Sequence, residues 1–354
     1  MKTYLSYVKT QSAWNPCLSN LDKFLSDPNP HRNTSKIATL EFFSGNSRPS
    51  PRSIRISQLR SELQDNHRSR SSLAQTQDST NCAKDVDHKE NDLLGRILIV
   101  EDLTKEVVEV LGSYLDIDPL FFAGHIHHPW IEISSQTPDM ASLPSKMRPE
   151  KYFNIHYHRA IEFKEVSMPV RQLLRDANVP RKVMVLPLSQ RAQHIGLAQH
   201  CTSIFKTTQS DKTWIGLVLV DPPIRGSYLS VSGKNQVLRP IRLASKLFSG
   251  GFEDFLDPPS YFDNSERSSI LPRDALMESL SYYWTQQIPQ CFDPKDPTLL
   301  SLSYYPLKLV ASEWNSYTAL MRHCIKQYEY SNKELPSPLQ QLEKLHSDIR
   351  DLQS

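Results

Sequence analysis

Glycine is scarce, with 10 residues in 354, less than half of the roughly 7% of an ordinary soluble domain. Loops that wrap a phosphate with backbone need glycine at several positions, and this chain offers few places for one. Six residues rather than four separate Gly226 from Gly233-Lys234, and Asn235 stands where a magnesium-holding Ser or Thr would be. No phosphate loop is expected there.

Paired cysteines are missing too. Cys17, Cys82, Cys201, Cys291 and Cys324 are odd in number and dispersed, with no C-x-x-C, which excludes a disulfide framework or thiolate zinc site and fits a reducing compartment. An excess of one charge is absent: 41 Lys+Arg face 39 Asp+Glu, a net +2, so no nucleic acid or anionic membrane partner is expected. The longest apolar run, Trp214 to Val220, stops at Asp221-Pro222-Pro223, far short of the roughly 18 residues of a membrane helix. Residues 1–14 lack the apolar core of a signal peptide, and the reading is of a soluble, cytoplasmic chain. Neither G-x-S-x-G nor H-E-x-x-H occurs, so no enzyme is expected.

What is present is ample core material, 38% hydrophobic residues, enough for at least one large core. Four regions are expected. Residues 1–43 carry Trp14, Leu18, Leu21, Phe24 and Leu25 at helical spacing, then Ile37, Leu40, Phe42 and Phe43 in a strand-like run; this segment is expected to dock on the main domain. Residues 44–95, rich in Ser, Arg, Asn, Gln and Asp, read as a disordered linker in which, up to residue 71, Arg48, Arg52, Arg55, Arg60, Arg68 and Arg70 face only Glu62 and Asp65. Residues 96–270 form an α/β domain, and 271–354 a helical region.

The α/β domain opens with the β-branched run Ile97 to Glu101, followed by a helix with Leu103, Val107, Val110, Leu111, Tyr114 and Leu115 on one face, capped by Asp102 or Thr104. Asp118-Pro119 starts a second helix, whose Leu120, Phe121 and Phe122 enter the core. Further strands are expected at 151–163, 181–186, 214–220 and 228–231, giving a mixed sheet flanked by helices in α/β/α layers. Gly251 to Pro258 reads as an acidic, aromatic surface loop.

In the helical region Leu276, Leu280, Tyr283 and Trp284 form one stripe ending before Pro289. Leu307, Val310, Trp314, Tyr317, Met321, Cys324 and Tyr328 then step by alternating threes and fours, a heptad seam on a long stalk-like helix. Such a seam serves either as an oligomer interface or as core against the chain's own sheet. Past Pro336-Ser337-Pro338 the rhythm resumes in Leu342, Leu345, Ile349 and Leu352 and reaches Ser354 without a stop signal, which reads as a truncated helix.

Metal ligands are the chemistry to weigh. Asp116 and Asp118 offer oxygen ligands to a divalent ion, although a helix cap explains Asp118 fully. His156 and His158 share a face of a strand, as a metal site requires, and His125-Ile126-His127-His128 is the other dense imidazole group; hydrogen-bonded or surface histidines are the alternative. His194, His200 and Cys201, placed on a helix, would not share a face.

The run ILIVEDLTKEVVEVLGSYLDIDPLFF, residues 97–122, resembles the soluble N-terminal part of fungal CorA-like magnesium transporter proteins. The likeness extends more loosely through Tyr152 to Phe163 and into Tyr305 to Tyr328, which corresponds in placement to the family's stalk. It implies a cytosolic regulatory domain that assembles as a homo-oligomer through its C-terminal helices and responds to Mg2+. The family's two pore helices and its Gly-Met-Asn signature are not in this sequence, so membrane attachment is expected only through an extension beyond Ser354. An interaction module without transport or catalysis is the alternative.

Overall fold

The computed structural model describes residues 3–28, 33–45, 48–71, 92–127, 151–164, 172–186, 194–209, 212–224, 226–232, 237–248, 255–256, 274–333 and 343, without the side chains of 64–71, 172, 231–232, 237–238 and 327–333. The chain begins with α1 (Tyr4–Ser12), a 3-10 turn at Pro16–Leu18 and α2 (Ser19–Ser26), then enters the sheet with β1 (Lys36–Phe43) and β2 (Pro51–Ile54). Next come α3 (Ile56–Ser71), β3 (Leu93–Glu101), α4 (Lys105–Leu115) and α5 (Pro119–Ile126). The remaining strands are β4 (Tyr152–Phe163), β5 (Gln172–Arg175), β6 (Lys182–Val185), β7 (His194–Thr208), β8 (Trp214–Val220), β9 (Ser227–Ser232), β10 (Val237–Arg242) and β11 (Ser245–Leu247). They are followed by α6 (Leu276–Gln286), α7 (Leu299–Leu302) and α8 (Tyr304–Lys333).

The strands form one mixed sheet in the order β10-β9-β5-β6-β7-β8-β3-β1-β2, with β4 joining β7 to β11. Among the described residues β3 and β8 make the one parallel pairing, in register from Gly95 opposite Trp214 to Glu101 opposite Val220. Both strands are buried on both faces, as parallel strands are, and their alternation assigns each face its layer. Leu98, Val100, Ile215, Leu217 and Leu219 meet α1 to α5 on one side. Ile97, Ile99, Trp214, Val218 and Val220 meet α6, α7 and the base of α8 on the other. The architecture is α/β, a mixed sheet covered by helices.

Two contacts show why particular residues are required. At Gly95 an added Cβ would lie 2.3 Å from the Trp214 ring, so only glycine lets that indole lie flat across β3. At Gly112 a Cβ would lie 2.5 Å from the Tyr4 ring, and Tyr4 in turn donates its hydroxyl to Ile117 O at 2.7 Å. Glu109 of α4 accepts the first free amides of α1, from Tyr4 at 2.8 Å and Leu5 at 2.7 Å, the arrangement a helix N-terminus favours.

Three expectations about organisation are corrected. The first 43 residues do more than dock, because β1 is a sheet strand hydrogen-bonded between β2 and β3. Residues 51–71, expected within a disordered linker, fold as β2 and α3, with Ile54, Leu59 and Leu63 buried; these sparse apolar residues find the groove beside α4 that composition does not reveal. Arg52, one of the arginines noted there, makes a two-pronged pair with Glu62 at 2.7 and 2.9 Å. The boundary at 270 divides nothing, since α6 and α8 share a core cluster with Leu40, Phe42 and Ile99. Residues 72–91, the loop at 251–254 and 257–258, and the repeats at 336–342 and 344–354 lie outside the described residues.

The heptad of α8 is packed unevenly along its length. A straight helix drifts about 20° per seven residues relative to such a seam, so the side it turns to the sheet changes from one end to the other. Val310 is buried, and Tyr317, Met321 and Cys324 pack on a cluster of Ala160, Leu186, Leu197 and Leu320. Leu307 is half-buried and Trp314 remains 39% exposed. Arg159 of β4 donates Nε to Glu313 Oε1 at 2.6 Å and Nη1 to Asp274 O at 3.0 Å, fixing the helix through a partly buried ion pair. Tyr328 lies beyond the described side chains.

Candidate functional site at the carboxyl end of the parallel strands

Open α/β sheets place their ligand crevices outside the carboxyl ends of the strands. In this sheet β3 and β8 end in acids, Glu101-Asp102 and Asp221, and beside them opens a cleft of about 430 Å³. Its walls include Asn33, Lys36, Glu101, Asp102, Arg175, Asp176, Ser227 and the turn Pro222-Pro223-Ile224.

Asp102 sits at φ 60°, the left-handed region that few residues other than glycine, asparagine and aspartate enter. Four hydrogen bonds hold it there: its N–H donates to Val220 O at 3.1 Å, its carbonyl accepts from Ser35 Oγ at 2.7 Å and from Asn178 Nδ2 at 3.4 Å, and Oδ1 accepts the Asn178 N–H at 2.9 Å. The side chain is buried, and burial pushes its carboxyl up to about 6 against the pull of the Asn178 hydrogen bond. Asp102 and Thr104 were equal candidates to cap α4; Thr104 takes that role, accepting from Val107 N at 3.4 Å, and Asp102 faces the cleft. A left-handed backbone, burial and a raised pKa at one residue in a cleft make Asp102 the candidate functional position of this end of the sheet.

Behind the cleft wall lies a knot of charge centred on Asp221. Its Oδ2 accepts from Arg181 Nε at 2.5 Å and from the Cys201 N–H at 2.7 Å, with Arg175 Nη1 at 3.8 Å. Burial alone would raise this carboxyl, but Arg181 and Arg175 hold it below its ordinary range. Arg181 also donates to His125 O at 2.7 Å and His127 O at 3.3 Å, closing the end of α5 as a cation at a helix C-terminus does. Arg175 donates to Pro222 O, tying β5 to the turn after β8.

The histidines read from the sequence separate into different environments. His125 is fully buried, its Nδ1 within 2.8 Å of Ser203 Oγ and its Nε2 4.0 Å from Asp221, and burial pushes it down to about 3. His127 and His156 meet edge to face with ring centres 6.0 Å apart, and Cys201 Sγ is 3.9 Å from His156 Nε2. His158 instead stacks on Tyr317 of α8 at 5.3 Å. Burial lowers both His156 and His158 to about 4, with Arg181 adding to the effect at His156. His194, His200 and Cys201 lie on the strand β7, not on a helix; His200 stacks on Tyr157 at 5.4 Å. Burial pushes the Cys201 thiol up to about 12, which leaves it a poor nucleophile.

Asp118 caps α5, accepting from Leu120 N at 2.9 Å, while Asp116 takes the left-handed C-cap of α4 at φ 48°. Both are exposed. Among the described residues no group of three or more His, Cys, Asp or Glu is arranged to hold a metal ion.

Sequence reasoning missed the cleft and its charges. Asp221 read as the end of an apolar run, and Arg175 and Arg181 carried no signal. The usable clue was an acid at the end of each of two apolar runs, residues 97–100 and Trp214–Val220.

The fold and site together define a class: an α/β layered domain with a polar cleft at the carboxyl end of its parallel strands. No protein family, curated protein or solved structure matches the chain. Among the described residues no helix is long and apolar enough to cross a membrane.

Proposed function

We propose that the chain is the cytosolic regulatory domain of a CorA-like divalent-metal transporter, assembling as a homo-oligomer through α8 and responding to Mg2+. The observation that carries this reading is the apolar edge left along α8. Val310, Tyr317, Met321 and Cys324 root the helix on the sheet, while Leu307, half-buried, lies on the same side as Trp314, 39% exposed, and Ile325, 54% exposed. The run that resembles the family supports it too, forming β3, α4 and α5 on the opposite face. In this reading the domain is cytoplasmic, it carries out no catalysis, it needs no nucleic acid, and the ion pathway is formed by membrane helices that these residues do not supply.

One observation favours an interaction module instead, a monomer whose α8 is ordinary core: the partly buried Arg159–Glu313 pair and the Leu320 cluster already engage much of the heptad. Light scattering with and without millimolar magnesium separates the two. The regulatory reading predicts a magnesium-dependent species several times 40.7 kDa, reduced to monomer by Trp314→Glu with little change in the unfolding midpoint. A 40.7 kDa monomer in both conditions, indifferent to that substitution, would overturn it in favour of the interaction module.

A further inference from the structure

We propose that the cleft at the carboxyl end of β3 and β8 binds a small organic cation, an amine or guanidine on a short apolar body, seated against Asp102. The cleft lies within one chain, so the proposal holds whether or not chains associate. Its volume, about 430 Å³, falls in the range of small-molecule pockets. Asp102 lines it at 5% exposure, and among the described residues no cation lies within ion-pair distance of its carboxylate. The neighbouring charges are already matched: Lys36 Nζ is 3.1 Å from Glu101, and Arg175 is turned to Asp221, Pro222 O and His200.

An incoming cation would therefore meet one buried carboxylate that holds hydrogen bonds from the Asn178 N–H and the Asn33 side chain and feels Arg175 at longer range, but makes no ion pair of its own among the described residues. A buried charge gains most from a partner when it has none. An anionic ligand would find Lys36 and Arg175 committed elsewhere. A metal ion would lack a set of three His, Cys, Asp or Glu ligands among the described residues. Pro222, Pro223 and Ile224 offer an apolar wall, and the exposed Asn33 and Thr34 form the rim.

Calorimetric titration of the full chain with agmatine, putrescine and choline tests this, with succinate and magnesium chloride as contrasting probes. Saturable binding of at least one amine is expected, weakened tenfold or more by Asp102→Asn, which tolerates the left-handed backbone and keeps an oxygen for the Asn178 N–H. Thr34→Trp, an exposed rim change that leaves Asp102 in place, should block the same binding and serves if Asp102→Asn does not fold. No saturable amine binding, amine binding unchanged in the folded variants, or tighter binding of succinate or magnesium at this site would each overturn the proposal.

Discussion

The two ends of the β3–β8 pair are built from opposite chemistry. At the amino end Gly95 lies under Trp214, whose indole packs on Phe42 at 5.3 Å and Phe292 at 5.8 Å and donates Nε1 to Pro294 O at 2.7 Å. At the carboxyl end, seven residues beyond Gly95 and Trp214, Asp102 and Asp221 are buried among two arginines and several histidines. The first end gains stability from apolar area, on the order of 25 cal/mol per Å² buried. The second carries the desolvation of several charges, which hydrophobic residues of equal volume would avoid. Such a cost at a cleft, in a molecule with a sound core elsewhere, is the pattern of a site retained for function.

The largest expected effect comes from breaking the polar end. Asp221→Ala leaves Arg181 and Arg175 buried without their counter-ion and should cost about 3–5 kcal/mol in urea unfolding; a loss under about 1 kcal/mol would mean that water or other groups already compensate them. Acid should act on the same end. His125, His156, His158 and His200 are all lowered in the folded chain, whereas in the unfolded chain they take up protons below about 6.5. Stability is thus complete above that pH and lost as pH falls toward 4, each histidine contributing up to about 1.4 kcal/mol per pH unit. Asp102 has the opposite sign, because its raised value relieves a cost as pH falls through about 6, and one carboxyl does not offset four imidazoles. An unfolding midpoint that stays flat from pH 7 to 5 would contradict this account.

At the apolar end the effect is smaller and independent of pH. Gly95→Ala drives a Cβ into the Trp214 ring and should cost about 1–3 kcal/mol, equally at pH 7 and pH 5. A cost that changes with pH would show that the two ends are coupled through the strands.

This contrast also explains what the sequence made legible. The apolar end and its layers follow from periodicity: β3, α4, α5, β8, α6 and the start of α8 all stand where β-branched runs and helical stripes predict them, and Asp118-Pro119 caps α5 as expected. The heptad of α8 was visible, but not which of its residues would pack on the sheet and which would stay in solvent. β7 was missed because the polar His200, Thr202 and Ser203 interrupt its apolar pattern, and all three are buried. The polar end was illegible for a related reason. Its members come from β3, α5, β5, β6, β7 and the turn after β8, so no local spacing records their meeting, and an acid after a strand looks like any turn.

Asp102 decides whether this end exists for stability or for binding. Its unfolding midpoint in urea at pH 7.5, measured for Asp102→Asn beside the unchanged chain, is the most direct test. A residue held charged, strained and buried for a ligand should be improved by the neutral amide, with a gain on the order of 1 kcal/mol. A midpoint lower than that of the unchanged chain would show that the Asp102 carboxylate stabilises the fold, and would contradict the assignment of this cleft as the functional site.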